Sequence, residues 1–181
     1  MKKFTLLQKL RNKIRIGSGV DLSLSANAKI VNCDIRIKGK NIKLVIGDGT
    51  VLRYTKIEIL GDNCSILIGK NCILGHDCYL SAKEGRQLII KDECMLSRNA
   101  TLLTSDGHPI YRGGKIINNA SDITIEEHVW LADNVTILKG VRIGKNSVVG
   151  INSTVTKDVS CNSIIAGNPA RIVKDKIVWQ E

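Results

Sequence analysis

The stretch ITIEEHVWLADNVTILKGVRIGKNSVVGINSTVTKDV, residues 123–159, decides the fold. Ile125, Leu131, Ile137, Ile143, Val149 and Val155 recur every six residues. Four positions after each stands a small or branched residue: Val129, Val135, Val141, Ser147, Ser153 and Val159. Gly, Asp, Asn and Lys lie between them. A helix does not repeat at six, because positions six apart fall on different faces of a 3.6-residue turn. A simple strand needs strict alternation throughout. A period of six fits a unit of one short strand and one corner. Three units close a triangular coil of roughly 18 residues, and such coils stack as a solenoid. The Ile/Leu/Val series then points into the prism. The second series sits where only slim side chains fit.

Upstream the period continues with interruptions. Ile68, Leu74 and Leu80 keep it with Cys72 and Cys78, and Ile90, Leu96 and Leu102 with Cys94 and Ala100. Ile46 and Leu52 carry it with Thr50, and Leu24 and Ile30 with Ala28. The step from Leu60 to Ile68 is eight, which predicts a short insertion near Asp62 to Ser65. SAKEGRQ, Ser81 to Gln87, reads as another. Cys72, Cys78 and Cys94 fall in the slim register, where a thiol packs as a small hydrophobe.

Composition agrees with thin, regular layers. Hydrophobic residues make up 43% of the 181 residues but aromatic ones only 3%, so Ile, Val and Leu carry the core, which favours β structure. Sixteen Gly against two Pro suit many tight corners. The six cysteines form no CxxC pair and no Cys/His zinc spacing, so no metal is expected. No apolar run approaches the ~20 residues of a membrane span. Gln8 and Lys9 interrupt the leucines near the N-terminus, which argues against a secretory leader and for reduced thiols and a cytoplasmic location.

The formal net charge is +10, part of it from Lys2, Lys3, Lys9, Arg11, Lys13 and Arg15. The chain shows no nucleic-acid motif and no pattern of aromatic residues interleaved among its Lys and Arg residues, so no nucleic-acid partner is expected. A phosphate-rich cofactor, an anionic substrate or a solvated face all fit. Phe4, Leu6, Leu7, Gln8, Leu10 and Arg11 fit one or two helical turns. That segment is expected to cap the open end of the solenoid, with weak peripheral membrane contact as a second role.

A stack of identical coils has no pocket, so chemistry is expected where the repeat breaks. The largest break is TSDGHPIYRGGKIINNAS, residues 104–121, with Gly107, Pro109, Gly113 and Gly114 as loop formers. It carries His108, one of three histidines. A lone loop histidine has no role by default, yet imidazole is the natural base for acyl transfer to a hydroxyl. The residues alone leave both readings open.

The hexad [LIV]-G-x-x-[STAVC]-x, from about Ile16 to Val173, resembles the hexapeptide-repeat family of left-handed parallel β-helices. SDGHPIYR, HVWLAD, VTKDV and GNPAR, in that order, resemble galactoside and maltose acetyltransferases and related polysaccharide O-acetyltransferases. The resemblance implies acetyl-CoA as cosubstrate and a homotrimer with sites between prisms. It makes His108 the general base for the acceptor hydroxyl, with Asp106 orienting the imidazole or binding acceptor. It assigns Trp130, Asp133, Ile151, Thr156, Lys157 and Arg171 to the coenzyme. Asp133 stands where the family has a small polar residue, and Ile151 where it has Ala. His76 and Asp77, in GHDCYL, replace a stretch that carries an acceptor ligand. His128 falls on a repeat corner.

The expected all-β molecule therefore has a basic cap segment (1–15), a β-helix (16–173) with an inserted loop (104–121), and a tail (174–181). The expected function is O-acetylation of a sugar, such as a surface polysaccharide or its precursor. An amino-sugar or antibiotic N-acetyltransferase and a non-catalytic scaffold are the alternatives.

Overall fold

The computed structural model describes residues 4–180. Lys2 and Lys3 lie outside the described residues. The chain winds into a prism with three parallel sheets as its faces. The first face holds Lys13–Ile16, Asp34–Lys38, Lys56–Leu60, Tyr79–Lys83, Thr101–Leu103, Thr136–Ile137 and Thr154–Val155. The second runs from Val20–Leu24 to Arg142–Ile143. The third runs from Lys29–Val31 to Ile164–Gly167 and is closed by the antiparallel strand Ala170–Lys174. Successive strands along the chain lie on successive faces, so nearly every ladder joins residues one full coil apart.

In the C-terminal half the six-residue reading holds. Ile125, Leu131, Ile137, Ile143 and Val149 are fully buried, and the slim series beside them is buried too. Ile137 pairs with Val155, 18 residues on. The glycine of the hexad has a steric reason. A Cβ on Gly144 would stand 2.5 Å from the amide nitrogen of Cys161 in the coil stacked beside it.

The N-terminal half departs from that reading. Ile35 pairs with Ile57, Leu44 with Ile66 and Leu52 with Leu74, each 22 residues on. The eight-residue step near Asp62 and the SAKEGRQ stretch are therefore not isolated insertions. They belong to a regular, longer coil. Two of its first-face strands carry five residues and bury two isoleucines each, Ile35 and Ile37 in one and Ile57 and Ile59 in the other. Leu60, taken as a register residue, is half-exposed, and Ile59 points inward instead. The period-two alternation of DIRIK and KIEIL marks these strands, because successive side chains point to opposite faces.

The corners turn through left-handed backbone. Asn32, Tyr54, Asp77, Asn99, Asn134 and Asn152 form one column between the third and first faces, all with φ between 52° and 60°. Asn tolerates this region better than most residues. Asn99 donates to Asn134 (3.0 Å) and Asn134 to Asn152 (2.9 Å), so the corner column is also a side-chain ladder.

A helix, Leu6–Arg11, forms at the N-terminus behind a Thr5–Gln8 capping box. Its leucines do not cover the prism. Phe4 is buried there instead, and Asn12 fastens the segment by donating to the Ile30 carbonyl (3.0 Å) and accepting from the Cys33 amide (2.7 Å). At the other end, residues 175–180 fold back across the third face, where the Ile177 amide donates to the Asn162 carbonyl (3.0 Å) and Trp179 lies beside Trp130.

Leu102, fully buried, is the inward residue of Thr101–Leu103, the strand that leads into the inserted loop. Leu102→Ala is expected to cost about 2–5 kcal/mol through lost burial and a cavity. Arg112→Ala, on the exposed loop, should change stability by less than about 0.5 kcal/mol. Urea unfolding of the two variants checks the contrast.

Candidate active site

The inserted loop leaves the first face after Leu103 and rejoins the second at Ile123. Leu102 pairs with Ile137, 35 residues away, so the excursion roughly doubles one coil. Its tip is a hairpin, Tyr111–Arg112 against Lys115–Ile116, turned by Gly113 and Gly114 at φ 55° and 75°. His108 sits at the exposed base of this hairpin.

Two residues that sequence reading missed hold that base. The Asn118 amide donates to the His108 carbonyl (2.9 Å) and to Asp106 (2.8 Å), and its oxygen accepts from the Ile110 amide (2.6 Å). Lys139, on the same edge one coil further, pairs with the Asp106 carboxylate and donates to the Asn118 carbonyl (2.7 Å). The backbone of His108 is thus clamped. Among the described residues no group hydrogen-bonds its ring. Asp106 spends its carboxylate on Lys139 and Asn118, which hold it below the usual Asp range, Lys139 foremost. Asp106 therefore contacts the His108 segment through Asn118, not through the imidazole.

The same edge continues to Thr156 and Lys157, both exposed. Lys157 and Arg171 line one cleft of about 240 Å³ at the C-terminal end, with Val155, Ile165 and Ile172 as apolar walls and Asp158, which accepts from the Arg142 amide (2.8 Å), beside Lys157. Among the described residues the Arg171 guanidinium donates only to its neighbour's carbonyl (Ala170, 2.8 Å). Among the described residues neither cation has an ion-pair partner. Two cations without an ion-pair partner, set against one carboxylate and apolar walls, suit a phosphate-bearing ligand with an apolar arm.

The remaining candidates lie elsewhere on the prism. Trp130 is on the third face; its indole donates to Ser97 (3.1 Å). The C-terminal tail lays Trp179 beside it, ring centroids 5.9 Å apart, and stacks Trp179 flat on His128 at 4.1 Å. Asp133 and Ile151 lie at the corner between the third and first faces. Asp133 takes two guanidinium hydrogen bonds from Arg98 (2.5 and 3.1 Å) and one from its backbone amide (2.9 Å), and Arg98 holds its carboxyl below the usual range. Ile151 is 60% exposed, unusual for so large an apolar side chain at a corner. His76 and Asp77 occupy the same corner two coils before Asp133 and three before Ile151, with the His76 ring tilted against Tyr54 at 4.7 Å. One prism therefore brings His108, Lys139, Thr156 and Lys157 to one edge, and Asp133, Ile151, His76 and Asp77 to another.

Five of the six thiols are packed inside the prism, and Cys161 is exposed. Cys33, Cys64, Cys72, Cys78 and Cys94 are buried, and Cys72, Cys78 and Cys94 donate to backbone carbonyls of the adjacent coil (3.0, 3.0 and 2.9 Å). Burial pushes the Cys78 thiol up to about 11.

Comparison with known proteins places this architecture. Residues 122–157 match the family model described as bacterial transferase hexapeptide (six repeats). The crystal structure of the polySia specific acetyltransferase NeuO superposes with TM-score 0.75 at 33% identity, covering 94% of this chain and 89% of that one. The chain belongs to the hexapeptide-repeat acetyltransferase family. Its parallel solenoid is the left-handed β-helix of that family. Polysialic acid O-acetyltransferase of Escherichia coli O1:K1 / APEC is 43% identical over 84 residues, 45% of this chain and 27% of that protein. Galactoside O-acetyltransferase of E. coli K12 is 40% identical over 81 residues, 42% of this chain and 38% of that protein. The matched segments thus span less than two-fifths of each curated relative.

Within this family member the Lys139–Asp106–Asn118 clamp should hold through the neutral range. The depressed Asp106 pKa means that the pair stabilises the loop above the ordinary carboxylate value and is lost as pH falls through the lower, folded one. Lys139→Ala should raise amide exchange across residues 105–119 with little change in melting temperature. Wild-type loop order, followed by NMR between about pH 5 and 8, should stay flat.

Proposed function

We propose that the chain is an acetyl-CoA-dependent O-acetyltransferase that acts on a carbohydrate hydroxyl. The observation that carries this is the single edge that joins a clamped loop histidine to a cleft with two free cations. The cleft suits the phosphates of coenzyme A, with Lys157 and Arg171 as their partners and Thr156 beside them. The names of the relatives, which act on polysialic acid and galactosides, support a sugar acceptor.

In this reading the acceptor hydroxyl attacks the thioester carbon while the His108 imidazole takes its proton. The tetrahedral intermediate expels the coenzyme thiolate, which recovers that proton from the imidazolium. The products are the sugar acetate and free coenzyme A. Asp106, Asn118 and Lys139 keep His108 in place, and no covalent enzyme intermediate is required.

Residues on separate edges of one prism come together if prisms associate as a trimer. The inserted loop supports this: Ile110, Tyr111, Ile116 and Ile117 are all exposed, at 45–62%, and need a surface to cover them. We place that surface on a neighbouring prism, near Trp130, Asp133 and Ile151. His76 and Asp77 then lie on the acceptor side.

A thiol-release assay with acetyl-CoA and a panel of sugars tests the reading. His108→Ala should lower turnover by about 10²–10⁴-fold with the fold intact. Near-normal turnover would remove the histidine from the chemistry. Lys157→Ala and Arg171→Ala should raise KM for acetyl-CoA more than KM for the acceptor, and an effect confined to the acceptor would count against the coenzyme cleft. Light scattering should show three chains, and Ile117→Glu should shift the population toward monomer.

A further inference from the structure

Charge is distributed very unevenly along the chain. Residues 1–60 hold 13 Lys and Arg against four Asp and Glu, whereas residues 61–181 hold 14 against 13. Coils stack in chain order, so the described residues 4–60 alone place 11 Lys and Arg against four Asp and Glu toward one end of the prism. Arg36 and Lys38 project from the first face there and, among the described residues, have no ion-pair partner.

That same end is apolar. Leu6, Leu7 and Leu10, spaced to share one helix face, are 76, 56 and 77% exposed. The helix buries none of its residues, although its capping box and the Asn12 anchor hold it firmly. Beside it, Phe4, Ile14, Ile16, Val20 and Leu22 line an open apolar recess of about 480 Å³. Lys9 and Arg11 flank the leucines, and Lys13 and Arg15 follow on the first strand.

We propose that this end is a membrane-docking surface, with the leucines entering the headgroup boundary of an anionic bilayer and the surrounding cations meeting its phosphates. The inference is independent of the catalytic reading above. Three occupants can be compared by chemistry. A second copy docked end to end could cover the leucines, but would oppose one strongly cationic end with another. An anionic polysaccharide would answer the charge, but offers nothing to bury three leucines. A bilayer with anionic headgroups supplies both at once, and short basic helices with exposed leucines partition into that interface. Polybasic segments near such a surface gain from its negative potential within a Debye length.

Vesicle sedimentation of the full chain tests the proposal. The protein should sediment with vesicles of phosphatidylcholine mixed with phosphatidylglycerol, and not with phosphatidylcholine alone. Binding should weaken as salt is raised. Leu6→Ser/Leu7→Ser/Leu10→Ser should cut binding about tenfold with unchanged circular dichroism, because these side chains make no core contact. Lys9→Glu/Arg11→Glu is a second variant expected to lose binding. Absence of binding to anionic vesicles at low salt would overturn the proposal. So would full binding by the serine variant together with equal retention of soluble dextran sulfate, which would make the end a site for anionic polysaccharide. A change in oligomer size caused by the serine variant would assign the leucines to a second copy and also overturn it.

Discussion

Every coil must return to its starting point one strand spacing further on, and the left-handed corner residues make that possible. At most corners the backbone enters a region that most side chains resist, and Asn or Gly accepts it at least cost. Once the corners are in place, the strands fall into parallel register and the inward side chains stack in columns of like residues. The asparagine column from Asn99 to Asn152 shows the two roles merging, since the residue that permits the turn also bonds to its counterpart in the next coil.

The regularity explains what could be read from the chain and what could not. The run from Ile125 to Val155 is legible because one inward residue per face repeats at a fixed step. The N-terminal coils bury two residues on a first-face strand, and Leu60 beside Ile59 gives two apolar neighbours with opposite orientations. Period six then misassigns the inward residue, and a 22-residue coil looks like an 18-residue one with defects. Alternation in DIRIK and KIEIL was the signal that could have corrected it.

The candidate site divides in the same way. His108, Lys157 and Arg171 lie in motifs with a recognisable order. Lys139 and Asn118 do not, because their importance rests on contacts with a loop that has no period. Lys139 lies 33 residues from Asp106, and nothing in VTILKGV marks its side chain as different from the solvated lysines elsewhere. Trp179 is further still, 51 residues from the His128 carbonyl to which it donates (3.2 Å). Such contacts arise only when the coils are stacked, so local pattern carries no trace of them.

Stacking also makes the prism a ruler with fixed graduations. The loop with His108 leaves the first face four strands above Lys13–Ile16, the strand nearest the apolar end. Adjacent parallel strands are separated by about 4.8 Å, so the height of the loop above that end can change only in whole coils. Gaining or losing one coil would move the reacting edge by a single step while leaving the clamp, the cleft and the corners intact. Reach along the axis is therefore a discrete variable, set by how many times the chain goes round.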